Sequence, residues 1–257
     1  MTSTVKVEVD ADHVAVMTLD RPSKLNAMSM ALIDEMTDRL IELRRSPDLR
    51  ALIVTGRGRA FCAGADVSEL NQLLGPTAMD AVNGVRRYNA VATQLWEFPV
   101  PTIAAVNGPA VGGGAALALL CDLRLMAEGS YLKVNQLERG IAPDMGATFL
   151  LPLLIGHAPA VHKMMLAEAI SAEEALRWGL ATELAPADDV LDHAVALAGR
   201  LIEWSPVAVR STIQAIRATT RGALADALER EANAQAHCSQ AEGFIEGVER
   251  FIGARHG

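Results

Sequence analysis

The chain has 257 residues, 51% of them apolar and 21% charged, and its formal net charge is -8. This length and composition indicate a soluble globular protein with a sizeable core, in one large domain or in one domain with an appendage. The acidic charge and the lack of any cluster of Lys and Arg argue against nucleic-acid binding, because that binding depends on neutralised phosphates.

The first part of the chain alternates short apolar strands with helices. Two β-rich segments around a turn at 10–12 predict a hairpin, and the apolar spacing from residue 30 to 45 predicts a helix with Ser29 as its N-cap. The order strand, glycine-bearing loop, helix then occurs three times, which predicts an α/β fold with the loops gathered at one end of the strands. The predicted strands lie at 5–9, 14–19, 51–55, 102–106, 123–127 and 131–134, and the predicted helices follow the loops at 61–66, 107–112 and 140–144, the first of these helices reaching residue 98.

From about residue 187 the pattern changes to helices alone, at 190–202, 206–219, 223–238 and 243–252. The last of these are long and amphipathic. Such helices either cover their own core or pack on another subunit, and periodicity alone leaves both options open.

The three cysteines, Cys62, Cys121 and Cys238, are widely spaced and form no CxxC pair. They indicate reduced packing cysteines in a cytoplasmic protein, with neither a disulfide framework nor a metal site. The start of the chain lacks the features of a signal peptide. The most apolar region, 100–121, is interrupted by prolines and glycines, so no membrane span is expected.

Two loops combine small residues with the start of a helix, and both follow a strand. They are Phe-Cys-Ala-Gly-Ala-Asp at 61–66 and Asn-Gly-Pro-Ala-Val-Gly-Gly-Gly at 107–114. Small residues let a ligand approach the backbone closely, and free N–H groups at a helix start favour negative charge. Each loop alone is compatible with a plain strand-to-helix turn, but two converging N–H groups would form an oxyanion hole.

Taken together, these loops resemble those of the crotonase (enoyl-CoA hydratase/isomerase) family. The resemblance covers nearly the whole chain and rests on six ordered motifs, at 21–28 (Arg-Pro-Ser-Lys-Leu-Asn-Ala-Met), 61–66, 103–114, 121–123, 140–144 (Gly-Ile-Ala-Pro-Asp) and 171–180. It implies a spiral of β-β-α units over residues 1–195 and a helical region at 196–257 that assembles homotrimers or homohexamers. It also implies that the N–H groups of Ala65 and Gly113 form the oxyanion hole.

The resemblance further implies an acyl-CoA thioester as substrate, with coenzyme A entering as part of that substrate and no separately bound cofactor. A cation near the CoA phosphates is expected because the protein as a whole is acidic. Phe251 and Arg255 could reach a neighbouring subunit's CoA. The residues expected to contact substrate or CoA are Lys24, Leu25, Ala27, Ala63, Gly64, Asp66, Val67, Gly112, Gln136 and Phe251.

The reaction depends on the acids and bases beside the oxyanion hole. Hydratases of the family use two glutamates, at positions that are Ala116 and Gln136 here, and neither residue can exchange a proton near neutral pH. Asp144 lies where family isomerases, including the phenylacetate-pathway epoxide isomerase, place an acid. On local sequence alone, Asp144 could equally be the N-cap of the next helix.

The resemblance therefore favours an enoyl-CoA isomerase in which Asp144 moves a proton from C2 to C4. An apolar wall of Met145, Phe149, Val111 and Leu117 is expected to raise the pKa of Asp144, and Glu138 is expected to be solvated or ion-paired. A dehalogenase is disfavoured because no histidine lies between His13 and His157. An enoyl-CoA hydratase with altered acids and a non-catalytic CoA-binding or assembly protein remain the alternatives.

Overall fold

The computed structural model describes residues 3–69, 75, 77–241, 243–244 and 246–247. The expected contacts of Phe251 and Arg255, and most of the helix expected at 243–252, lie outside the described residues. None of the helices described is long and apolar enough to cross a bilayer.

Two β-sheets form the centre of the fold. The larger has the strand order β1-β2-β3-β4-β6-β9 and the smaller the order β5-β7-β8. β1 and β2 form the expected antiparallel hairpin, and every later pairing in the larger sheet is parallel. The strands are β1 (Val5–Val9), β2 (Val14–Leu19), β3 (Ala51–Gly56), β4 (Thr102–Val106), β5 (Ala110–Val111), β6 (Leu123–Ala127), β7 (Tyr131–Lys133), β8 (Ile170–Ser171) and β9 (Glu183–Ala185).

Helices connect these parallel strands, as parallel pairing requires. α1 joins β2 to β3, α2 joins β3 to β4, and α3 lies between β5 and β6. Three helices follow one another at the end of the described chain. The helices are α1 (Met30–Arg44), α2 (Ala78–Trp96), α3 (Gly113–Leu120), α4 (Ala147–Ile155), α5 (His157–Met165), α6 (Ala172–Arg177), α7 (Val190–Ile202), α8 (Pro206–Ala218) and α9 (Arg221–Ser239).

Both faces of the larger sheet are covered, which explains why β3 and β4 are continuous apolar runs and not alternating ones. On one face, alternate residues such as Ile53 and Ile103 pack in a cluster with Ala194 and other residues of α7. On the other face, Leu52 and the remaining alternate residues join a cluster with α1, α2 and α3. The predicted α/β class is therefore confirmed.

Two helices begin later in the chain than the sequence predicts. The long helix before Phe98 was expected to follow residue 66, but α2 begins at Ala78 because Thr77 and Asp80 form a capping box, in which each side chain accepts from the other residue's backbone N–H. α4 begins at Ala147 after Gly146, whose φ of 83° is left-handed. The predicted N-cap Ser29 of α1 is confirmed, since its hydroxyl accepts from Leu32 N at 3.2 Å.

The two candidate loops leave the carboxyl ends of the neighbouring strands β3 and β4. The smaller sheet extends this arrangement, since β5, which lies within the second loop, pairs with β7. The segment after β7 leads to Asp144. Three loops distant in the sequence therefore meet at one edge of the fold.

Candidate functional site

The loops at 61–66 and 107–113 are joined by backbone hydrogen bonds. Val111 N donates to Cys62 O at 2.9 Å, and Cys62 N donates to Pro109 O at 3.2 Å. Gly64 has a φ of 83°, and a Cβ there would lie 2.7 Å from Val111 O and 3.4 Å from Gly113 N. Only glycine combines this backbone conformation with so close an approach.

Two backbone N–H groups at this junction are those of Ala65 and Gly113. Gly113 begins α3, so its N–H is one of those that a helix leaves without an internal partner. Ala65 is held by a bridge to Met28, in which Met28 N donates to Gly64 O and Asp66 N donates to Met28 O. Within the described residues, neither Ala65 N nor Gly113 N donates to another backbone group. Both residues line one pocket, and Asp144 lines it too.

Asp144 is buried at this pocket and does not cap a helix. Its Oδ1 accepts from Gln136 Nε2 at 3.0 Å, and its Oδ2 accepts from Gln235 Nε2 at 2.8 Å. The N-cap of α4 is Gly146, which has no side chain to cap with. The capping interpretation of Asp144 is therefore wrong, and its carboxylate faces two amides instead.

Burial raises the pKa of Asp144, because a carboxylate loses its hydration when it is enclosed. The hydrogen bond from Gln136, the positive charge of Arg139 and the hydrogen bond from Gln235 act in the opposite direction. All three influences favour the ionised form of Asp144. The carboxylate is thus desolvated, and its net pKa is raised despite these three opposing influences.

Helix α9 holds the Asp144 segment in place from the far end of the chain. Glu231, one turn before Gln235, accepts hydrogen bonds from Gly146 N at 2.7 Å and from Thr148 N at 2.9 Å. The Thr148 hydroxyl donates to the same carboxylate. Burial raises the pKa of Glu231 to about 7, and the negative charge of Asp144 adds to this rise, while the three hydrogen bonds oppose it.

The described apolar lining of the pocket differs from the expected wall. Val67, Tyr88 and Ile141 line it, and the Tyr88 hydroxyl donates to Met28 O at 2.8 Å. Met145 lies close to the oxyanion loop, since a Cβ on Gly113 would be 3.2 Å from its sulfur. Val111 belongs to the neighbouring groove, and Phe149 and Leu117 are not among the described lining residues.

A second, more open groove of about 450 Å³ adjoins the pocket, and Arg139 lines both. Leu25 and Ala63 lie in this groove as expected for CoA contacts. Its cations are Arg59, Lys133 and Arg139, none of which was anticipated from the sequence.

The other residues expected to contact substrate or CoA take several positions. Lys24 is exposed on the short 3₁₀ turn before Leu25. Asp66 forms an ion pair with Arg21 at 2.9 Å and accepts a hydrogen bond from the Ser68 hydroxyl at 2.7 Å. Ala27, through its carbonyl, accepts from the same arginine. Val67 and Gln136 line the pocket. Gly64 and Gly112 lie in the two loops.

Two further acids near these loops are structural. Glu138 accepts from Lys133 Nζ at 2.6 Å and from Asn135 Nδ2 at 2.7 Å, which confirms the expected ion pair. It lies on a 3₁₀ helix, Gln136–Arg139. Asp122 accepts from Thr102 N at 2.7 Å and pairs with Arg217, so it joins β4 to α8.

Sequence reasoning missed Glu231, Gln235 and Tyr88. A signal for the first two exists, because α9 carries a buried apolar stripe that includes Leu224, Leu228 and Ala232. Glu231 and Gln235 fall on this stripe, where a polar residue needs a buried partner. The sequence could not identify that partner.

Comparisons with known proteins place nearly the whole chain in one family. The family model described as "Enoyl-CoA hydratase/isomerase" matches residues 10–256. A protein named "Probable enoyl-CoA hydratase" from Mycobacterium bovis is 34% identical over 98% of this chain and 96% of its own length. The 1,2-epoxyphenylacetyl-CoA isomerase of Escherichia coli is 32% identical over 94% of this chain and 93% of its own.

A solved structure gives the same result. The crystal structure of an enoyl-CoA hydratase/isomerase from Mycobacterium paratuberculosis superposes with a TM-score of 0.90 at 30% identity, over 97% of this chain and 99% of the other. The expected crotonase-type fold is thereby confirmed. The chain belongs to the enoyl-CoA hydratase/isomerase family.

Proposed function

We propose that this protein is an acyl-CoA isomerase that moves a carbon–carbon double bond, with Asp144 as its acid and base. One observation carries the proposal: Asp144 is a buried carboxylate in the same pocket as the N–H groups of Ala65 and Gly113. The two positions at which hydratases of the family carry glutamates are Ala116 and Gln136 here, and neither can take up a proton near neutral pH.

The chemistry follows from this pairing. The thioester oxygen accepts hydrogen bonds from Ala65 N and Gly113 N, which stabilises the dienolate that forms when a proton leaves C2. Asp144 takes that proton and returns it to C4, while the double bond moves from C3–C4 to C2–C3. The carboxylate ends the cycle ionised, and Gln136 and Gln235 donate to it in that state.

The substrate class is an acyl-CoA, and no separate cofactor enters this mechanism. The groove holds Arg59 and Arg139 besides the Lys133–Glu138 ion pair, and its net positive charge supports binding of the CoA phosphates. We extend the proposal to a homotrimer or homohexamer in the cytoplasm, assembled through the helical region at 196–257. This region is also part of the site, since α9 supplies Gln235.

Hydration of a 2-enoyl-CoA is the second candidate, because relatives of this chain carry the name enoyl-CoA hydratase. It would need Asp144 to activate water alone. A CoA-binding or assembly protein without catalysis is the third.

A substrate panel separates the three candidates. We expect wild-type protein to convert 3-hexenoyl-CoA to 2-hexenoyl-CoA, with a rise in absorbance of the conjugated thioester, and to hydrate crotonyl-CoA slowly. Asp144→Asn should lower isomerisation by about 10²–10⁴-fold with little change in acyl-CoA affinity. Rapid hydration of crotonyl-CoA would favour the hydratase. Binding without turnover of any 3-enoyl, 2-enoyl or aromatic acyl-CoA would favour the assembly protein.

A further inference from the structure

Two buried amide oxygens at the pocket have no partner within the described residues. They are Oε1 of Gln136 and Oε1 of Gln235. The two side chains line the pocket beside Asp144 and are 3% and 1% exposed. Buried amide oxygens are almost always hydrogen-bonded in folded proteins.

The orientation of both amides is fixed by Asp144. Each Nε2 donates to a different oxygen of this carboxylate, at 3.0 Å for Gln136 and 2.8 Å for Gln235. An ionised carboxylate only accepts hydrogen bonds, so turning either amide around would place oxygen against oxygen. The two Oε1 atoms are therefore acceptors next to the base.

The surroundings of these oxygens suit a small polar group. The residues around them are those of the reaction pocket itself, which Ala65, Gly113 and Asp144 also line, so a group that meets the two oxygens is part of the bound acyl chain. Val67 and Ile141 line the same space without a donor, and neither oxygen accepts from Tyr88 or Arg139, which also line it. An alkyl chain placed here would leave both oxygens desolvated without a hydrogen bond.

We propose that the preferred acyl group carries a hydroxyl group, at C5 or beyond, which donates a hydrogen bond to the amide oxygen of Gln235 or Gln136. This inference rests on the proposed isomerase function, because the reaction fixes which carbons are free. C2 loses the proton, and a hydroxyl on C3 or C4 of a 3-enoyl group would be an enol. C5 is the first carbon that can carry a stable hydroxyl, and it adjoins the carbon to which Asp144 returns the proton.

Binding of saturated analogues tests the inference without turnover. Affinities of hexanoyl-CoA, 5-hydroxyhexanoyl-CoA and 3-hydroxyhexanoyl-CoA are measured by calorimetric titration with wild-type protein. The 5-hydroxy compound should bind about tenfold more tightly than hexanoyl-CoA, because one buried acceptor gains its donor. Since none of these ligands can be isomerised, a failed binding test leaves the isomerase proposal standing, and a failed isomerase assay leaves the binding preference measurable.

Variants assign the preference to the two amides. Gln235→Met and Gln136→Met each remove one acceptor at nearly constant size. At least one of them should abolish the tenfold preference for 5-hydroxyhexanoyl-CoA over hexanoyl-CoA. Gln94→Met makes the same change at a partly buried position of α2 outside the pocket and should leave the preference intact. Equal binding of the 5-hydroxy compound and hexanoyl-CoA would overturn the inference. A preference for the 3-hydroxy compound alone would also overturn it, since it would assign these oxygens to the water added in a hydration.

Discussion

The oxyanion loops at 61–66 and 107–113 and the Asp144 segment at 140–148 share one pocket, but different parts of the chain determine their geometry. The loops act through backbone N–H groups and depend on the absence of side chains, as the close approach of Gly64 to Val111 O shows. The Asp144 segment acts through a side chain and depends on two other side chains of α9. The proposed anion site is therefore sensitive to any added Cβ, and the proposed base is sensitive to loss of distant polar groups.

The largest effect is expected where a Cβ enters the oxyanion loops. A Cβ on Gly114 would lie 2.2 Å from Cys62 O, a backbone atom that cannot move aside alone. Gly114→Ala should lower the free energy of unfolding by about 3 kcal/mol or more, measured by urea denaturation. Gly199→Ala is the matched control, because nothing lies within 4 Å of its added Cβ and the helix α7 gains up to about 1 kcal/mol. Equal stability of the two variants would contradict the steric account.

Loss of the Glu231 carboxylate should destabilise the Asp144 segment almost as much. Glu231→Leu leaves Gly146 N and Thr148 N without their acceptor, which should lower the free energy of unfolding by about 2–4 kcal/mol. Isomerase activity should fall with it, because Asp144 loses its position. Glu231→Gln keeps one acceptor and should fall between the leucine variant and wild type. Wild-type activity in Glu231→Leu would show that Glu231 of α9 does not position Asp144.

The raised pKa of Glu231 also predicts a pH dependence of stability. The folded protein binds this proton more tightly than the unfolded chain, since the pKa rises from 4.5 to about 7. The contribution is therefore present below about pH 4.5 and is lost as the pH rises to about 7, with a total of about 3 kcal/mol. In Glu231→Gln the fall in urea midpoints between pH 4.5 and 7 should be smaller by this amount, and the fall that remains includes the contribution of Asp144, whose pKa is also raised. The same slope in both proteins would contradict the assignment.

A smaller effect is expected on the pH profile of the reaction. Asp144 must be ionised to accept a proton, so kcat/KM should rise with pH through its pKa. Gln235→Met removes a hydrogen bond that favours the carboxylate, so the pKa of Asp144 should rise and the acidic limb should move to higher pH.

Arg139, Tyr88 and Glu231 also face Asp144. The pH profiles with and without Gln235→Met are therefore also compared in the Glu231→Gln background, where residue 231 no longer titrates. Gln94→Met should leave the limb in place. A limb unmoved by Gln235→Met would show that this amide does not tune the base.

The two regions also differ in how far the sequence predicts them. The loops at 61–66 and 107–113 were predictable, because strand, small residues and helix follow one another locally. The role of α9 was not, since Gln235 lies 91 residues from Asp144 along the chain and its helix looks like any amphipathic helix. Asp144 was ambiguous for a local reason. Gly146 adopts a left-handed conformation, which moves the start of α4 beyond the reach of an aspartate cap.

Proton exchange at Asp144 is the central step of the proposed reaction, and solvent deuterium measures it most directly. Wild-type protein incubated in D₂O with 3-hexenoyl-CoA should place deuterium at C2 of the remaining substrate or at C4 of the product, detected by mass spectrometry and NMR. Asp144→Asn should abolish this label, because its amide cannot act as a base. The variant should still bind hexanoyl-CoA. Undiminished deuterium incorporation in Asp144→Asn would contradict the assignment of Asp144 as the acid and base.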